Sequence, residues 1–176
     1  LEQLEKSFRK LGKSAVFFVL STEMPGRSPE QVARMESEWG WPVAHREKDA
    51  DLSYGESIFH TGVQRFNARS RRIKVVFINQ FGWSRELCGS AMPEDMDPLD
   101  LRRGTDVEFG QSIYEPFGIS QLEPLTYGGI CVMSQVCGCA GLVQRIARGH
   151  HEPNGLVADY CNCGHERRSE RYWLSL

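Results

Sequence analysis

Two segments rich in Val, Ile and Phe, the first of them continuously apolar from Ala15 to Leu20, constrain the fold of this chain more than any other feature of its sequence. Residues 14–21 read SAVFFVLS and residues 73–78 read IKVVFI. A strand that is apolar at every position, rather than at alternate positions, is typical of a parallel sheet with helices on both faces. We therefore expect the strand at 14–21 to be buried on both faces. Two further strands are predicted at residues 105–111 and 129–134.

Helical patterns lie between and before these strands. Leu1, Leu4, Phe8 and Leu11 recur at spacings of three and four residues, which is typical of an amphipathic helix, and Gly12 ends it. The other predicted helices are one capped by Ser28 that begins at Pro29, one at 57–70, one at 98–103 and one that begins near Gly118. Strands that alternate with helices predict an α/β fold, here a Rossmann-like three-layer sandwich with a mainly parallel sheet.

Composition narrows the class of protein. The 176 residues fit one domain, 1–176, and 21 basic against 23 acidic residues leave a formal net charge of -2. This balance argues against nucleic acid or an anionic membrane as a partner. The longest apolar run falls far short of the roughly 20 residues that span a bilayer, so a cytoplasmic protein is expected. Because the chain opens with Leu1 inside a predicted helix, we expect it to be a piece of a longer protein.

The cysteines leave two interpretations open. Four of the six form two C-x-C pairs, Cys137 with Cys139 and Cys161 with Cys163, and His165 follows the second pair. A small zinc-stabilised interaction domain is one interpretation. Free thiols and no metal are favoured, because C-x-C lacks the extra residue that lets two thiolates wrap a tetrahedral zinc in C-x2-C.

Several other polar or reactive side chains receive structural interpretations. Cys131 lies in a predicted strand and is expected to be a small buried apolar residue. Arg102 and Arg103 are interpreted as solvent-exposed charges at a helix end. The histidines are interpreted as surface or packing residues: His60, His150, His151 and His165.

The most informative segment is residues 112–129, SIYEPFGISQLEPLTYGG. Glu115 is expected on the loop that leaves the third strand, where ligands bind in parallel α/β sheets. Gly118 allows a ligand close to the backbone, and the helix predicted to follow would point its free N–H groups at an anion such as pyrophosphate. Glu123 follows Glu115 by eight positions, about two turns into that predicted helix.

This segment resembles the carboxyl-terminal, nucleotide-binding domain of retaining glycosyltransferases with two Rossmann domains, the GT-B class, and glycogen synthases most of all. Residues 113–128, IYEPFGISQLEPLTYG, are similar to the donor-sugar loop of that family, with its two glutamates separated by seven residues. Residues 72–81, RIKVVFINQF, are similar to the strand and loop before the motif, and residues 134–141, SQVCGCAG, to the following loop, which contains Gly138.

The resemblance implies a role for each matched residue. Glu115 would contact hydroxyls of the donor sugar and stabilise the charge that develops at its anomeric carbon. The backbone N–H groups of Phe117 and Gly118 would hold sugar hydroxyls, and those of Ile119 and Ser120 would receive the pyrophosphate. Glu123 would accept hydrogen bonds from the ribose, and Gly138 would line the donor site.

The function implied is transfer of a hexosyl group, most simply glucose, from a nucleoside diphosphate sugar such as UDP-glucose or ADP-glucose to a glucan or other saccharide acceptor. No cofactor is expected. In the family, the acceptor is held by an amino-terminal domain, and a cationic pair that neutralises the diphosphate lies just before the helix that Leu1 begins. The chain alone is therefore expected to be inactive. The alternative function is a non-catalytic nucleotide-sugar binding or regulatory module.

Overall fold

The computed structural model of the chain describes residues 1–20, 28–39, 52–79, 86, 89 and 92–162. The chain divides into two compact units, Leu1–Asp97 and Pro98–Leu176. Each unit combines helices with parallel strands, so the prediction of an α/β, Rossmann-like fold is confirmed. None of the helices described is both long enough and apolar enough to cross a bilayer.

The elements of the first unit follow the predicted order. They are α1 (Glu2–Leu11), β1 (Ala15–Leu20), α2 (Pro29–Trp39), α3 (Tyr54–Arg69) and β2 (Ile73–Ile78). Strands β1 and β2 are parallel neighbours, with registers running from Ala15 opposite Ile73 to Leu20 opposite Ile78. The predicted bounds of β2 are confirmed to the residue.

Capping interactions explain where the helices of this unit begin and end. Gly12 ends α1 in the left-handed conformation, as predicted. The Ser28 hydroxyl accepts from the backbone N–H of Gln31, which confirms the predicted cap of α2. The predicted start of α3 at Ser57 is wrong: the helix begins at Tyr54, because Ser53 and Glu56 form a reciprocal capping box.

The prediction that the first strand is buried on both faces is wrong. Phe17 and Val19 pack into a cluster with Val63, Val75 and Phe77, which forms the core beside α3. The alternate side chains of β1 are exposed: Val16, Phe18 and Leu20. An apolar run is compatible with burial of either one face or two, so residue type alone did not distinguish the two arrangements.

A buried carboxylate joins α1 to the start of β2. Glu5 accepts hydrogen bonds from the backbone N–H groups of Arg71, Arg72 and Ile73 and from the Ser70 hydroxyl. Burial alone would raise the pKa of Glu5, but these hydrogen bonds outweigh it and hold the pKa far below its ordinary value. The ionised form of this carboxylate is therefore part of the folded structure.

A second side chain bonds to the backbone of β2 in the manner of a neighbouring strand. The Asn67 amide group donates to the carbonyl of Val75 at 2.8 Å, and its oxygen accepts from the Val75 N–H at 2.8 Å. Lys74 donates from Nζ to the carbonyls of Asn67 and Ser70, at the end of α3. Helix α3 is thus tied to β2 by polar contacts as well as by its apolar side chains.

The second unit contains a three-stranded parallel sheet in the order β3-β4-β5. Its elements, in chain order, are α4 (Pro98–Arg103), β3 (Val107–Gly110), α5 (Ile119–Leu122), the 3-10 helix Glu123–Tyr127, β4 (Ile130–Ser134), α6 (Ala140–Ala147) and β5 (Gly155–Ala158). Cys131 and Met133 of β4 form its core together with side chains of the next loop and of α6. Strands β3 and β4 confirm predictions, with slightly shorter bounds. Helix α6 and strand β5 were not predicted from the sequence.

Candidate functional site

The candidate site is built from the two loops that follow β3 and β4, which are neighbouring parallel strands. The backbone of Glu115 forms a parallel bridge with that of Cys137. The N–H of Gly138 donates to the carbonyl of Glu115 at 3.0 Å, and the N–H of Cys139 donates to the carbonyl of Phe117 at 2.8 Å. Four of the predicted site residues, Glu115, Phe117, Gly118 and Gly138, are thereby brought together at the carboxyl ends of the strands.

Two glycines allow these loops to approach so closely. A Cβ at Gly138 would overlap the carbonyl oxygen of Pro116. Gly118 has a φ of +92°, in the left-handed region, and a Cβ there would overlap the Sγ of Cys137. We predicted Gly118 from the approach of a ligand, but the structure shows that packing of the two loops already requires glycine at both positions.

Several residues close to Glu115 in the chain are large, apolar and exposed, while Glu115 itself is half-buried. Phe117 is 52% exposed, and the exposed residues nearby in the chain are Ile113, Tyr114 and Ile119. Most large apolar side chains of a folded domain are more buried than these. The segment that carries Glu115 therefore presents several large apolar side chains to solvent.

The helix after Gly118 is shorter than predicted. Gly118 caps α5, and Ile119 and Ser120 lie in its first turn, as expected, but α5 has only four residues. Glu123 begins the 3-10 helix one turn later, so its predicted place two turns into an α-helix is wrong. Pro124 gives the physical reason, because it has no N–H to donate to the carbonyl of Ser120. A single turn aligns few backbone dipoles, so it attracts an anion less than predicted.

The side chain of Arg102 is paired and mostly buried, although the sequence predicted a solvent-exposed charge. Its guanidinium, 19% exposed, pairs with Glu123 through Nη1 and with Glu108 through Nη2 at 3.1 Å. Nη2 also donates to the carbonyl of Ser120 at 3.5 Å, the acceptor that Pro124 leaves without its helical donor. The predicted solvent-exposed charge is wrong for Arg102, which ties α4 to β3 and to the start of the 3-10 helix.

Burial and neighbouring charges shift the pKa values of Arg102 and Glu108 in opposite directions. Burial disfavours the charge on Arg102, but the hydrogen bond and charge of Glu123, together with Glu108, raise the pKa of the guanidinium. Burial raises the pKa of Glu108, and Arg102 opposes that rise. Arg103 remains exposed as predicted, beside Asp100 at 2.8 Å and over the ring of Tyr127 at 5.5 Å.

Gln121 is a site residue that sequence reasoning missed. Its side chain is buried, accepts from the Ser120 hydroxyl at 3.0 Å and donates to the Ser112 hydroxyl at 3.4 Å. A Cβ at Gly110 or at Gly118 would crowd it. Gln121 therefore connects the end of β3 to α5, and only its place in the first turn after the Glu-Pro-Phe-Gly motif could have drawn attention to it.

Three of the cysteines in this unit are buried free thiols. Cys131 lies in the core as predicted, and burial raises the pKa of its thiol to about 12. The Sγ atoms of Cys137 and Cys139 lie 3.2 Å apart. Burial, and the hydrogen bond with Cys137, raise the pKa of Cys139 to about 11. The thiol of Cys139 is therefore protonated at neutral pH.

The zinc interpretation finds no support in the part of the chain that the structure describes. Within that part, no three histidine, cysteine, aspartate or glutamate side chains converge in a way that could hold a metal ion. Cys163 and His165 lie outside the described residues. Of the other histidines, His60 is buried and stacks on Phe77, while His150 and His151 are exposed, as the predictions for packing and surface residues allow.

Comparisons with protein-family models, curated proteins and solved structures found no match to this chain. The resemblance to glycosyltransferases therefore stays a prediction from the sequence motif at residues 113–128. The two loops described above supply the groups from which a function is proposed.

Proposed function

We propose that the chain is the donor-binding domain of a retaining, glycogen synthase-like glycosyltransferase. In this proposal it binds a nucleoside diphosphate hexose, UDP-glucose or ADP-glucose, for transfer of the hexosyl group to a glucan or other saccharide acceptor. The acceptor is bound mainly by a part of the longer protein that precedes this chain. No resident cofactor is needed.

The observation that supports the proposal best is the placement of Glu115. Its backbone is held beyond the carboxyl ends of β3 and β4 by the bridge to Cys137 and by the Gly138 N–H, at the edge where open parallel sheets bind ligands. A retaining transfer passes through a sugar with positive charge at its anomeric carbon, and a fixed carboxylate lowers the energy of that state. The half-buried side chain of Glu115 suits this role.

The neighbouring groups suit the rest of the donor. Backbone N–H groups of Phe117 and Gly118 would donate to sugar hydroxyls, and those of Ile119 and Ser120, in the first turn of α5, would donate to the diphosphate. Glu123 would accept from the ribose with one oxygen while Arg102 holds the other. This pairing is compatible with ligand binding because the Glu123 side chain is 48% exposed.

Direct binding tests the proposal on the chain itself. Saturation-transfer NMR and calorimetry with UDP-glucose, ADP-glucose and free glucose would be recorded for the wild type, for Glu115→Gln and for the control Glu152→Gln, an exposed glutamate of the same unit. We expect the wild type and the control to bind one nucleoside diphosphate glucose, and Glu115→Gln to bind it more weakly. Absence of binding by the wild type would contradict the proposal.

Transfer assays separate an enzyme from a binding module. In the longer protein to which this chain is predicted to belong, Glu115→Ala should lower glucose transfer to glycogen by roughly a hundred-fold, the scale of losing one electrostatic contact to a transition state. Binding of the donor with no transfer by the longer protein would favour the regulatory module. An active protein whose transfer is unchanged in Glu115→Ala would exclude the proposed role of Glu115.

A further inference from the structure

We propose that Cys137 and Cys139 form a redox-active pair, which a peroxide oxidises reversibly to an intramolecular disulfide, and that oxidation loosens the loop that carries Glu115. Formation of the disulfide is independent of the function proposed above. Its effect on ligand binding rests on that function.

The two thiols are placed for this reaction. Their Sγ atoms lie 3.2 Å apart, and both side chains are buried against the same neighbouring loop. The residue between them, Gly138, is exposed, so the turn that carries the pair lies at the protein surface. A disulfide between two cysteines that are separated by one residue closes a very short loop. It therefore removes little entropy from the unfolded state and contributes little as a structural crosslink.

The structure also orders the two steps. Cys139 is the more deeply buried of the two, and burial raises the pKa of its thiol, so we assign Cys137 as the sulfur that reacts first. The Cys137 sulfur attacks one peroxide oxygen as its S–H proton leaves, the O–O bond breaks, and the hydroxide released takes up that proton to form water. The Cys139 sulfur then attacks the sulfenic acid on Cys137, and the S–O bond breaks to give the disulfide and a second water. Two electrons pass from the sulfurs to peroxide.

Oxidation removes contacts to the donor loop. In the reduced state the Cys137 thiol donates to the carbonyl of Phe117 at 3.2 Å, and the Cys139 thiol lies 3.7 Å from the carbonyl of Gly118. Neither sulfur of a disulfide carries a proton, so both contacts are lost. The Cys137 sulfur also occupies the space that the missing Cβ of Gly118 leaves, and its movement toward Cys139 would empty that space.

Mass spectrometry tests the disulfide directly. The chain is treated with hydrogen peroxide, denatured, alkylated with iodoacetamide and cut with trypsin, which releases residues 104–145 as one peptide. We expect this peptide to lose two hydrogens and to keep Cys137 and Cys139 unalkylated, and dithiothreitol to reverse both changes. Full alkylation of Cys137 and Cys139 would overturn the proposal, as would their irreversible oxidation to sulfinic acid.

Single variants test the order of the steps. In Cys139→Ser the sulfenic acid on Cys137 has no partner and should be trapped by dimedone, whereas Cys137→Ser should give no dimedone adduct at Cys139. Cys161→Ser is the control, because Cys161 lies outside the pair, and it should form the disulfide as the wild type does. Labelling of Cys139 rather than Cys137 would overturn the assigned order.

Ligand binding by oxidised and reduced protein tests the consequence. Loss of the thiol contacts should weaken UDP-glucose or ADP-glucose binding by roughly five-fold, the scale of one hydrogen bond. Equal affinity of both states would overturn the effect on the loop. If the disulfide forms but neither state binds either ligand, the redox pair stands and the proposed function fails.

Discussion

The carboxylate of Glu5 accepts the backbone N–H of Ile73 at 2.9 Å, across 68 positions of the chain. It accepts the N–H groups of Arg71 and Arg72 as well, so one side chain satisfies the donors at the turn into β2. We predict that Glu5→Gln lowers the free energy of unfolding of the first unit, because an amide offers one accepting oxygen where the carboxylate offers two. Chemical denaturation measures this, with Glu2→Gln, an exposed position of the same helix, as the control.

The same carboxylate predicts a dependence on pH. The pKa of Glu5 is lowered in the folded state from an ordinary value of 4.5, so its contribution to stability is complete above the pKa of the unfolded state and is lost as pH falls below it. The wild type should therefore lose stability between about pH 5 and more acidic values, and Glu5→Gln should lose less. If the free energy of unfolding fell equally with pH in the wild type and in Glu5→Gln, the role assigned to Glu5 would be contradicted.

Arg102 should matter more to stability than its neighbour in the sequence. Arg102→Ala leaves Glu108 and Glu123 without their common cation and should cost roughly 1–2 kcal/mol. Arg103→Ala removes an exposed pair with Asp100 and should cost at most about 0.5 kcal/mol. Thermal and chemical denaturation of both variants would compare them, and equal losses would show that the Arg102 contacts contribute nothing special.

The same substitution at two glycines should have opposite effects. Gly138→Ala places a methyl group against the carbonyl of Pro116 and should destabilise the second unit by roughly 1–3 kcal/mol, as overpacking does. Gly141→Ala, in α6, meets only the Arg145 side chain at 3.8 Å and should stabilise the helix by up to about 1 kcal/mol. If both variants lost the same stability, close packing of the two loops at Gly138 would not explain the effect of Gly138→Ala.

The sequence predicted those parts of the fold that depend on local pattern. The predictions of strand β2 and of the start of α5 after Gly118 were correct, because apolar runs and glycines determine the backbone conformation of the residues next to them. Strand β5, with only four residues, is too short for periodicity to distinguish it from a loop. Whether one face or both faces of β1 are buried depends on which other elements cover the sheet, and the sequence of the strand does not determine this.

The candidate site was predictable in its residues but not in their contacts. The motif located Glu115, Phe117 and Gly118, whereas the pairing of their backbone with Gly138 depends on the register of two loops. Arg102 was misjudged because its partners, Glu108 and Glu123, are six and 21 residues away and only the fold brings them to it. Side chains whose role depends on distant partners are the ones that a sequence pattern does not reveal.

The Asn67 side chain also determines how the sheet of the first unit can meet other chains. Its amide occupies the N–H and the carbonyl of Val75, the two groups that an incoming strand would need at that point of β2. An exposed strand edge is a template for intermolecular pairing and amyloid growth, and natural proteins protect such edges. At Val75 the contact that anchors α3 therefore also prevents another strand from pairing with these two backbone groups.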